Sequence, residues 1–172
     1  MVLIETECVG LRRYEDGDES SLVAVLTDPG LMAFAVEDRA LSQAEAHAFL
    51  MAHCRHSGPI GLKTVCLKAS DTPIGFAGYR RCTYLGRDDV EFGWVIARAH
   101  HGYGYATALG RALIVCALST EGLNLSRVLA ACHPENAASE HILRDKLRMT
   151  FRREVDAGPN RRRRVYVVER PV

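Results

Sequence analysis

The chain has 172 residues, 48% of them hydrophobic and 25% charged, and its 22 Lys and Arg residues against 21 Asp and Glu residues leave a formal net charge of +1. This length and composition predict a single globular domain over residues 1–172, and the charge balance gives no electrostatic reason to expect a nucleic-acid or membrane partner. No apolar run is long enough to cross a membrane, and the first ten residues lack the basic start and apolar core of a signal peptide, so we expect a cytoplasmic protein.

The first part of the chain predicts a strand followed by two helices. Residues 9–14 (VGLRRY) alternate weakly, as a strand does, and residues 18–30 (DESSLVAVLTDPG) predict a helix that stops at the Pro-Gly pair. Ser42 and Glu45 form a predicted capping box at the start of the second helix. The apolar stripe of that helix consists of Ala46, Phe49, Leu50 and His53.

The rest of the chain predicts a three-stranded meander (LKTVCLK, IGFAGYRRC and VEFGWVIA) and, after the stretch HGYGYA, a helix that runs to about Gly122. A short strand (RVLAAC), a further helix (ASEHILRDKL) and a hairpin around DAGPN complete the order. This order predicts a mixed α+β sheet and not a doubly wound one.

The six cysteines are scattered and form no C-x-x-C pair, and several lie within apolar runs such as TVCLK and LIVCAL. A thiol in such a run behaves as a small hydrophobe, so we expect reduced core cysteines and neither disulfides nor a zinc site. His53 and His56 beside Cys54 have metal-ligand chemistry, but at the end of a surface helix we expect no metal there.

Two glycines one residue apart, Gly102 and Gly104, separate the predicted strand VEFGWVIA from the next helix. One explanation is that an anion binds the first free N–H groups of the helix, where a Cβ would hold it away from the backbone. The alternative is a tight strand-to-helix turn without a ligand.

Two motifs carry a family resemblance. HGYGYA matches, at Gly104 and Ala106, a signature of Gln or Arg, two residues, Gly, one residue, and Gly or Ala, with His101 where Arg or Gln is usual. Asn136, Ser139 and the later stretch KLRM echo N-x-x-S followed by an apolar helix and K-L-G-F or K-L-G-M. With the order of elements, these motifs resemble the GNAT superfamily of acetyl-CoA-dependent N-acetyltransferases, closest to its ribosomal-protein N-terminal (Rim-type) branch.

The resemblance implies a GNAT-like α+β fold. Its mixed, largely antiparallel sheet of about seven strands is expected to be flanked by about four helices and splayed between strands four and five.

The second motif departs from the family pattern in two ways. Arg148 takes the place of the glycine that ends the helix in a left-handed conformation, so we expect that cap to be strained, rebuilt or absent. The stretch from Asn136 to KLRM is also one residue longer than usual, and counting back from Met149 moves the Asn and Ser positions to Ala137 and Glu140. A π-bulge in the helix, or the loop before it, is expected to absorb the extra residue.

The resemblance implies a site for acetyl-CoA (coenzyme A) as acyl donor, without a metal. The pyrophosphate is expected on backbone N–H groups of the glycine loop, and the pantetheine arm in the splay, where amides near Val95 and Ile96 pair with it and polarise the thioester carbonyl. Asn136 is expected to bond the same arm, serve as a helix N-cap, or do both. The predicted pyrophosphate cradle consists of His101, Gly102, Tyr103, Gly104, Tyr105 and Ala106.

Glu91 and Ser139 are the expected catalytic residues. The resemblance places Glu91 at an acid common on the fourth strand, where it would deprotonate an alkyl ammonium; the alternative is a solvent-facing glutamate at an edge. Ser139 matches the serine that returns a proton to the leaving thiolate, unless it only caps the first helical turn. Alternation puts Glu91, Gly93 and Val95 on one face of the strand, and Gly93 in mid-strand suggests a bulge or a close backbone approach.

The function implied is acetyl transfer from acetyl-CoA to a primary amine, either a protein N-terminus or a small molecule. Two alternatives stay open: a module that holds a coenzyme A species without turnover, favoured by the off-pattern His101 and Arg148, and an RNA- or ribosome-associated protein that uses the run Arg161–Arg164. Because the net charge is near zero, we do not expect nucleic acid, and we expect the run to be a solvated turn. The sequence does not identify the acceptor, and it leaves open whether the chain forms a homodimer.

Overall fold

A computed structural model of the chain describes residues 2–35, 37–55, 58–158 and 161–171. The strands in these residues are β1 (Val2–Glu5), β2 (Val9–Arg12), β3 (Leu62–Leu67), β4 (Pro73–Cys82), β5 (Asp89–Ile96), β6 (Arg127–Cys132), β7 (Thr150–Asp156) and β8 (Arg162–Glu169). They form an eight-stranded sheet in the order β1-β2-β3-β4-β5-β6-β8-β7, and every neighbouring pair is antiparallel except β5 and β6.

The α-helices in the described residues are α1 (Glu19–Thr27), α2 (Pro29–Met32), α3 (Gln43–Leu50), α4 (Tyr105–Leu118) and α5 (Ala137–His141). Short 3-10 turns lie at Asp16–Asp18 and Arg98–His100, and π-helical turns at Met51–Arg55 and Ile142–Lys146 extend α3 and α5. The predicted α+β fold with a mixed, largely antiparallel sheet is confirmed.

In the described residues the sheet has eight strands instead of about seven, and five α-helices flank it instead of about four. β1 adds to the free edge of β2, and its four residues are too few to show an alternating pattern. Pro29 begins α2 instead of ending the helical region, because the Asp28 side chain accepts hydrogen bonds from the N–H groups of Gly30 and Leu31 at 2.9 and 3.0 Å. Proline suits the first helical position, where an N–H would have no helical partner.

The predicted capping box of α3 is present: Ser42 Oγ accepts from the Glu45 N–H at 3.3 Å, and Glu45 Oε2 accepts from the Ser42 N–H at 2.8 Å. The predicted stripe is wrong at its end, because His53 is exposed and Cys54 is buried in its place. The π-helical turn Met51–Arg55 holds more residues per turn than an α-helix, which shifts the buried position by one residue.

α4 ends at Leu118, before the predicted Gly122. Ser119 leaves the helical conformation, and the chain folds back so that the N–H groups of Leu123 and Leu125 donate to carbonyls of the last helical turn, each at 2.9 Å. Carbonyls that a helix end leaves without partners are satisfied in this way.

The extra residue before KLRM is absorbed by a π-helical turn, as expected. The Leu147 N–H donates to the Ile142 carbonyl, five residues earlier, at 2.9 Å. Arg148 then has a φ of 57°, and the Met149 N–H donates to the Leu143 carbonyl at 3.0 Å. The left-handed cap is therefore kept without its glycine, in a conformation that costs a non-glycine residue about 1–2 kcal/mol.

The sheet separates two apolar layers. α4 packs on one face, and α1 and α3 cover the other. The predicted alternation along β5 is confirmed, because Phe92 and Ile96 pack on the α4 side and Val95 packs on the opposite side. The largest buried side chains of the two layers include Phe92, Leu109, Leu113 and Leu143 on the α4 side, and Leu22, Leu26, Met32 and Leu50 on the other.

Candidate functional site

A cleft opens where β5 and β6 diverge. These strands are the predicted fourth and fifth strands, because the unpredicted β1 shifts the numbering by one, so the cleft lies at the expected splay. The two strands run parallel and, in the described residues, pair only at Glu91 and Leu129. The sheet is thus closed at Glu91 and open toward the carboxyl ends of both strands. The glycine loop before α4 follows β5, and α5 follows β6, so both lie at this opening.

The glycine loop presents a row of main-chain donors. Gly102 and Gly104 have φ angles of 84° and 80°, and Gly104 is the N-cap of the 14-residue α4. A Cβ on either glycine would meet no atom of the described chain within 4 Å, so the left-handed backbone, and not crowding, calls for glycine. None of the N–H groups of residues 102–107 donates a hydrogen bond within the described residues. Such a helix start binds anions, which favours the anion site over a bare turn.

His101 does not take part in the cradle in the expected way. Its backbone N–H donates to the Arg98 carbonyl at 3.0 Å, so it is not available to a phosphate. Its ring Nε2 donates to the Ile96 carbonyl at 2.7 Å, and because a carbonyl only accepts, this contact requires a proton on Nε2. His101 therefore ties the glycine loop to the end of β5.

The two predicted amide donors on β5 point in opposite directions. The Ala97 N–H donates to the Ile74 carbonyl of β4 at 2.8 Å, and β4 and β5 pair without a bulge. Because successive N–H groups of a strand point to opposite edges, the Val95 N–H also faces β4, whereas the Ile96 N–H faces the open edge. Of the two predicted donors, only Ile96 can thus offer its amide to a ligand in the splay.

Glu91 is a buried side chain, with 5% of its surface exposed, so the solvent-facing alternative is wrong. Arg80 Nη2 donates to Glu91 Oε1 at 2.7 Å, and the Tyr84 hydroxyl donates to the same oxygen at 3.2 Å. Burial, and next the charge of Glu91, raises the pKa of Tyr84 to about 12, so this hydroxyl keeps its proton at neutral pH. Glu91 Oε2 accepts no hydrogen bond from the described residues.

Two cavities meet at the splay. The smaller, about 130 Å³, holds Glu91 and Arg80, and the larger, about 620 Å³, is lined by the glycine loop. Glu91 thus faces the space on one side of the splay and the donor N–H groups face the space on the other. The residues that line both cavities are Phe34, Ala35, Trp94, Val95, Asn136 and Ser139.

Asn136 and Ser139 lie at the junction of the cavities, and Glu140 does not. Asn136 Oδ1 accepts from the Ser139 N–H at 3.0 Å, so Asn136 is the N-cap of α5 as well as a cavity residue. The Ser139 hydroxyl makes no hydrogen bond within the described residues. Glu140 accepts from the Tyr166 hydroxyl at 2.7 Å and from Arg164 at 2.8 Å, and these contacts, Tyr166 first, lower its pKa. The π-helical turn follows Ser139, so the extra residue lies beyond the N-x-x-S stretch.

Gly93 leaves a gap on the Glu91 side of β5. The expected bulge is wrong, because β4 and β5 keep a regular register with Gly93 opposite Gly78. The expected close backbone approach is wrong as well, since a Cβ on Gly93 would meet no described atom within 4 Å. The missing side chain instead leaves space in the smaller cavity.

The run Arg161–Arg164 is not the solvated turn that we expected. Arg163 is buried and donates to both oxygens of Asp38 at 2.6 and 2.9 Å, while Arg164 pairs with Glu140 and Glu154. Arg162 pairs with Glu154 on the adjacent strand β7. Sequence reasoning missed these pairs because Asp38 and Arg163 are 125 positions apart and no local pattern joins them.

Sequence reasoning also missed Arg80 and Tyr84 as the partners of Glu91. The cross-strand register of β4 and β5 sets Arg80 opposite Glu91, so correct pairing of the meander would have found that partner. Among the described residues there is no group of three or more His, Cys, Asp or Glu side chains that could hold a metal ion, and His56 lies outside them. No helix in the described part of the chain is long and apolar enough to span a membrane.

The comparisons with known proteins agree on the family and the fold. The model of the acetyltransferase (GNAT) domain family matches residues 9–149. The chain is 26% identical over 142 residues to YnaD of Bacillus subtilis, described as an uncharacterized N-acetyltransferase, with 82% of this chain and 79% of that protein covered.

Two solved structures have a similar fold. A GNAT-family acetyltransferase from Bacillus anthracis superimposes with a TM-score of 0.80, 19% identity and 98% of each chain covered. RimL, the ribosomal L7/L12 alpha-N-protein acetyltransferase solved with coenzyme A, superimposes with a TM-score of 0.72, 13% identity and 98% of each chain covered.

Proposed function

The chain belongs to the GNAT acetyltransferase domain family, and on this premise we propose that it transfers an acetyl group from acetyl-CoA to a primary amine by direct attack on the thioester. The meeting of the two cavities carries this proposal. The donor N–H groups of the glycine loop line one cavity and Glu91 lines the other. A donor and an acceptor that enter from the two sides would bring their reacting atoms together beside Trp94 and Ser139.

The larger cavity suits the acyl donor. The N–H groups of residues 102 and 104–107 would bind the pyrophosphate, since a helix start stabilises an anion without a cationic side chain, whereas Tyr103 of the predicted cradle does not line this cavity. The Ile96 N–H at the open edge of β5 would bind the pantetheine arm or the thioester oxygen, and the Asn136 side-chain amide would bind the arm. Acetyl-CoA, when bound, supplies an acetyl group activated as a thioester.

Glu91 would act as the base on the acceptor side. An ammonium has no lone pair for attack, so its proton must leave before the carbon–nitrogen bond forms and the carbon–sulfur bond breaks. Arg80 and Tyr84 hold Glu91 Oε1, and Oε2 would take this proton directly or through a water. The ion pair with Arg80, whose side chain is exposed, orients the buried carboxylate of Glu91.

Ser139 would return a proton to the leaving thiolate. Its hydroxyl lies at the junction of the cavities and has no hydrogen-bond partner in the described residues, so it can donate to a sulfur there. Glu140, the competing position, is held by Tyr166 and Arg164 outside both cavities. These two observations support Ser139, and not Glu140, as the residue at the family serine position, with the N-x-x-S motif counted forward from Asn136.

A mass-spectrometric assay with labelled acetyl-CoA over a panel of amines tests the proposal. We expect acetylated products together with a calorimetric signal for acetyl-CoA binding. Binding without transfer or hydrolysis would favour the alternative, a coenzyme A-binding module without turnover. Absence of binding would overturn both.

Within the family we propose the Rim-type branch, on the N-x-x-S and KLRM motifs, and we extend the proposal to a single cytoplasmic domain over residues 1–172. The likeness to RimL supports the fold of this branch and leaves the acceptor open between a protein N-terminus and a small amine. The RNA-associated alternative is disfavoured because Arg162, Arg163 and Arg164 are engaged in ion pairs. A salt-dependent mobility shift of RNA on addition of the protein would support the RNA-associated alternative again.

A further inference from the structure

We propose, on the basis of the proposed function, that Gly93 sets the specificity for the acceptor. With Gly78 it forms the floor of the smaller cavity, and this floor takes an uncharged apolar group next to the reacting amine. An alkylamine and a peptide with an aliphatic first residue both have this chemistry. A polyamine does not.

Gly93 is a glycine in the interior of a strand, where nothing in the described chain requires one. A mid-strand glycine weakens a strand and often marks a bulge, the close approach of another backbone, or a ligand. β4 and β5 pair in regular register through Gly93, its φ is not positive, and a Cβ there would meet no described atom within 4 Å. The glycines of β4 differ, because a Cβ at Gly75 would lie 2.0 Å from the Val95 carbonyl oxygen and a Cβ at Gly78 would lie 2.2 Å from that of Gly61. For Gly93 the remaining reason is a ligand.

The position of Gly93 makes this bare backbone part of the site. Gly93 is exposed although β5 is an inner strand of the sheet, and its neighbours on the same face, Glu91 and Val95, are buried. Gly78 lies directly opposite on β4 and lines the same cavity. The two glycines therefore leave a strip without side chains across two strands, and this strip is the floor of the cavity beside Glu91.

The floor has a charged end and an apolar end. In the register of β4 and β5, the pair Arg80 and Glu91 lies on one side of the glycines and the pair Phe76 and Val95 on the other. The Phe76 ring contacts that of Phe49 from α3, with centroids 5.6 Å apart. An amine that reaches Glu91 would place its next carbon atoms over the glycines and toward these apolar side chains. Further apolar residues that line the cavity are Phe34, Ala35 and Leu62.

The charges around the floor do not favour a second charged group on the acceptor. Arg80 is bound to Glu91 at 2.7 Å and Arg163 to Asp38 at 2.6 Å, so these charges are already paired. Glu91 is the one carboxylate among the described residues that line the cavity, and the reacting amine itself needs it. A second ammonium group would lie among apolar side chains without a carboxylate partner, which costs free energy.

The experiment measures kcat/KM for two series of acceptors. Ethylamine, propylamine and pentylamine lengthen an apolar chain, and putrescine replaces the terminal methyl group of pentylamine with an ammonium. Peptides that begin with Gly, Ala or Leu form the second series, so the two series distinguish a small amine from a protein N-terminus. We expect a gain of about fourfold for each methylene group that is buried. Pentylamine should exceed putrescine by about tenfold to a hundredfold.

Variants of Gly93 assign the effect to the floor. The added methyl group of Gly93→Ala should lower kcat/KM about tenfold for pentylamine and the Leu peptide, and by less than about threefold for ethylamine and the Gly peptide. Gly93→Val should lower kcat/KM further for the long acceptors. Because a strand gains stability when a side chain replaces an unneeded glycine, neither variant should lower the melting temperature.

Two controls accompany these variants. Acetyl-CoA binding measured by calorimetry should stay unchanged, because Gly93 does not line the larger cavity. Gly17→Ala should leave kcat/KM unchanged for every acceptor, since Gly17 has equally open surroundings for a Cβ and lines neither cavity.

The outcomes separate this inference from the proposed function. Equal kcat/KM for short and long acceptors in the wild-type protein, or a preference for putrescine over pentylamine, would overturn the inference and leave the acetyltransferase intact. An equal loss for all acceptors in Gly93→Ala, or a lower melting temperature of that variant, would also overturn it, because the glycine would then serve the chemistry or the fold. Failure to acetylate any amine would overturn the proposed function and the inference together.

Discussion

The two cavities that meet at the splay offer a ligand different kinds of groups. The larger is lined by residues 102 and 104–107 at and before the start of α4, and the main-chain N–H groups of these residues make no hydrogen bond within the described part of the chain. The smaller presents charged side chains of β4, β5 and the start of β8, which ion pairs hold in place. We therefore expect binding in the larger cavity, the proposed donor side, to depend on backbone conformation and to tolerate changes of side chain. We expect binding and catalysis in the smaller cavity, the proposed acceptor side, to respond to the loss of a single charge.

The largest effect is expected for Gly104→Val, which changes the backbone of the donor side. Valine at a φ of 80° is strained and its Cβ would lie beside the free N–H groups, so acetyl-CoA binding measured by calorimetry should be abolished. Gly86→Val is the matched control, because Gly86 has a φ of 78°, equally open surroundings and no place in either cavity. It should carry the same strain and bind acetyl-CoA normally. Unchanged affinity in Gly104→Val would remove the cradle from the donor site.

On the acceptor side, Glu91→Gln should leave acetyl-CoA affinity nearly intact and lower turnover by about a hundredfold to ten-thousandfold, the range for a general base. The loss should be largest at low pH, where free amine is scarce. Asp89→Asn is the control, because it weakens a different ion pair of β5, the buried pair with Arg127, which lies outside the cavities. Asp89→Asn should lower the melting temperature and spare turnover. Wild-type turnover of Glu91→Gln across pH would exclude Glu91 from the mechanism.

At the junction of the two sides, Ser139→Ala should lower turnover by about tenfold, below the usual range for acid–base catalysis. The effect is smaller because a thiolate with a reference pKa of about 8.5 leaves with modest assistance from an acid, and it should grow as pH rises. Glu140→Gln, which disturbs Arg164 and Tyr166, should lower the thermal stability more than the rate. The reverse order of rates would assign the family serine position to Glu140.

The smallest effect is expected for Arg148→Gly, because Arg148 lines neither cavity. Relief of the left-handed conformation should raise the free energy of unfolding by about 1 kcal/mol, or the melting temperature by about 2–4 °C, with turnover unchanged. Arg144→Gly, in the π-helical turn four residues earlier, removes an arginine at an ordinary helical position and should destabilise by about the same amount. A large gain in turnover for Arg148→Gly would instead connect this off-pattern residue with weak activity.

The donor side was predictable in outline because its signal is local. A strand, two glycines and a helix follow one another within HGYGYA and its flanks, and the left-handed φ angles of Gly102 and Gly104 agree with that pattern. The capping box, the π-helical turn and the alternation of β5 were predictable for the same reason, since each involves residues within a few positions. The use of the His101 N–H and the direction of the Val95 N–H were not, because both depend on hydrogen bonds that form only when β4, β5 and the loop are assembled.

The acceptor side was decided by tertiary structure. The sequence by itself determined the order of elements, the glycine loop and the positions of Glu91 and Ser139 on their strand and helix. It could not show that Arg80 and Tyr84 hold Glu91, that Arg163 reaches across 125 positions to Asp38, or that Arg161 borders the same cavity as Glu91. Periodicity and capping act over one or two turns of chain, whereas a buried charge accepts whichever partner the packed sheet brings to it, at any distance along the chain.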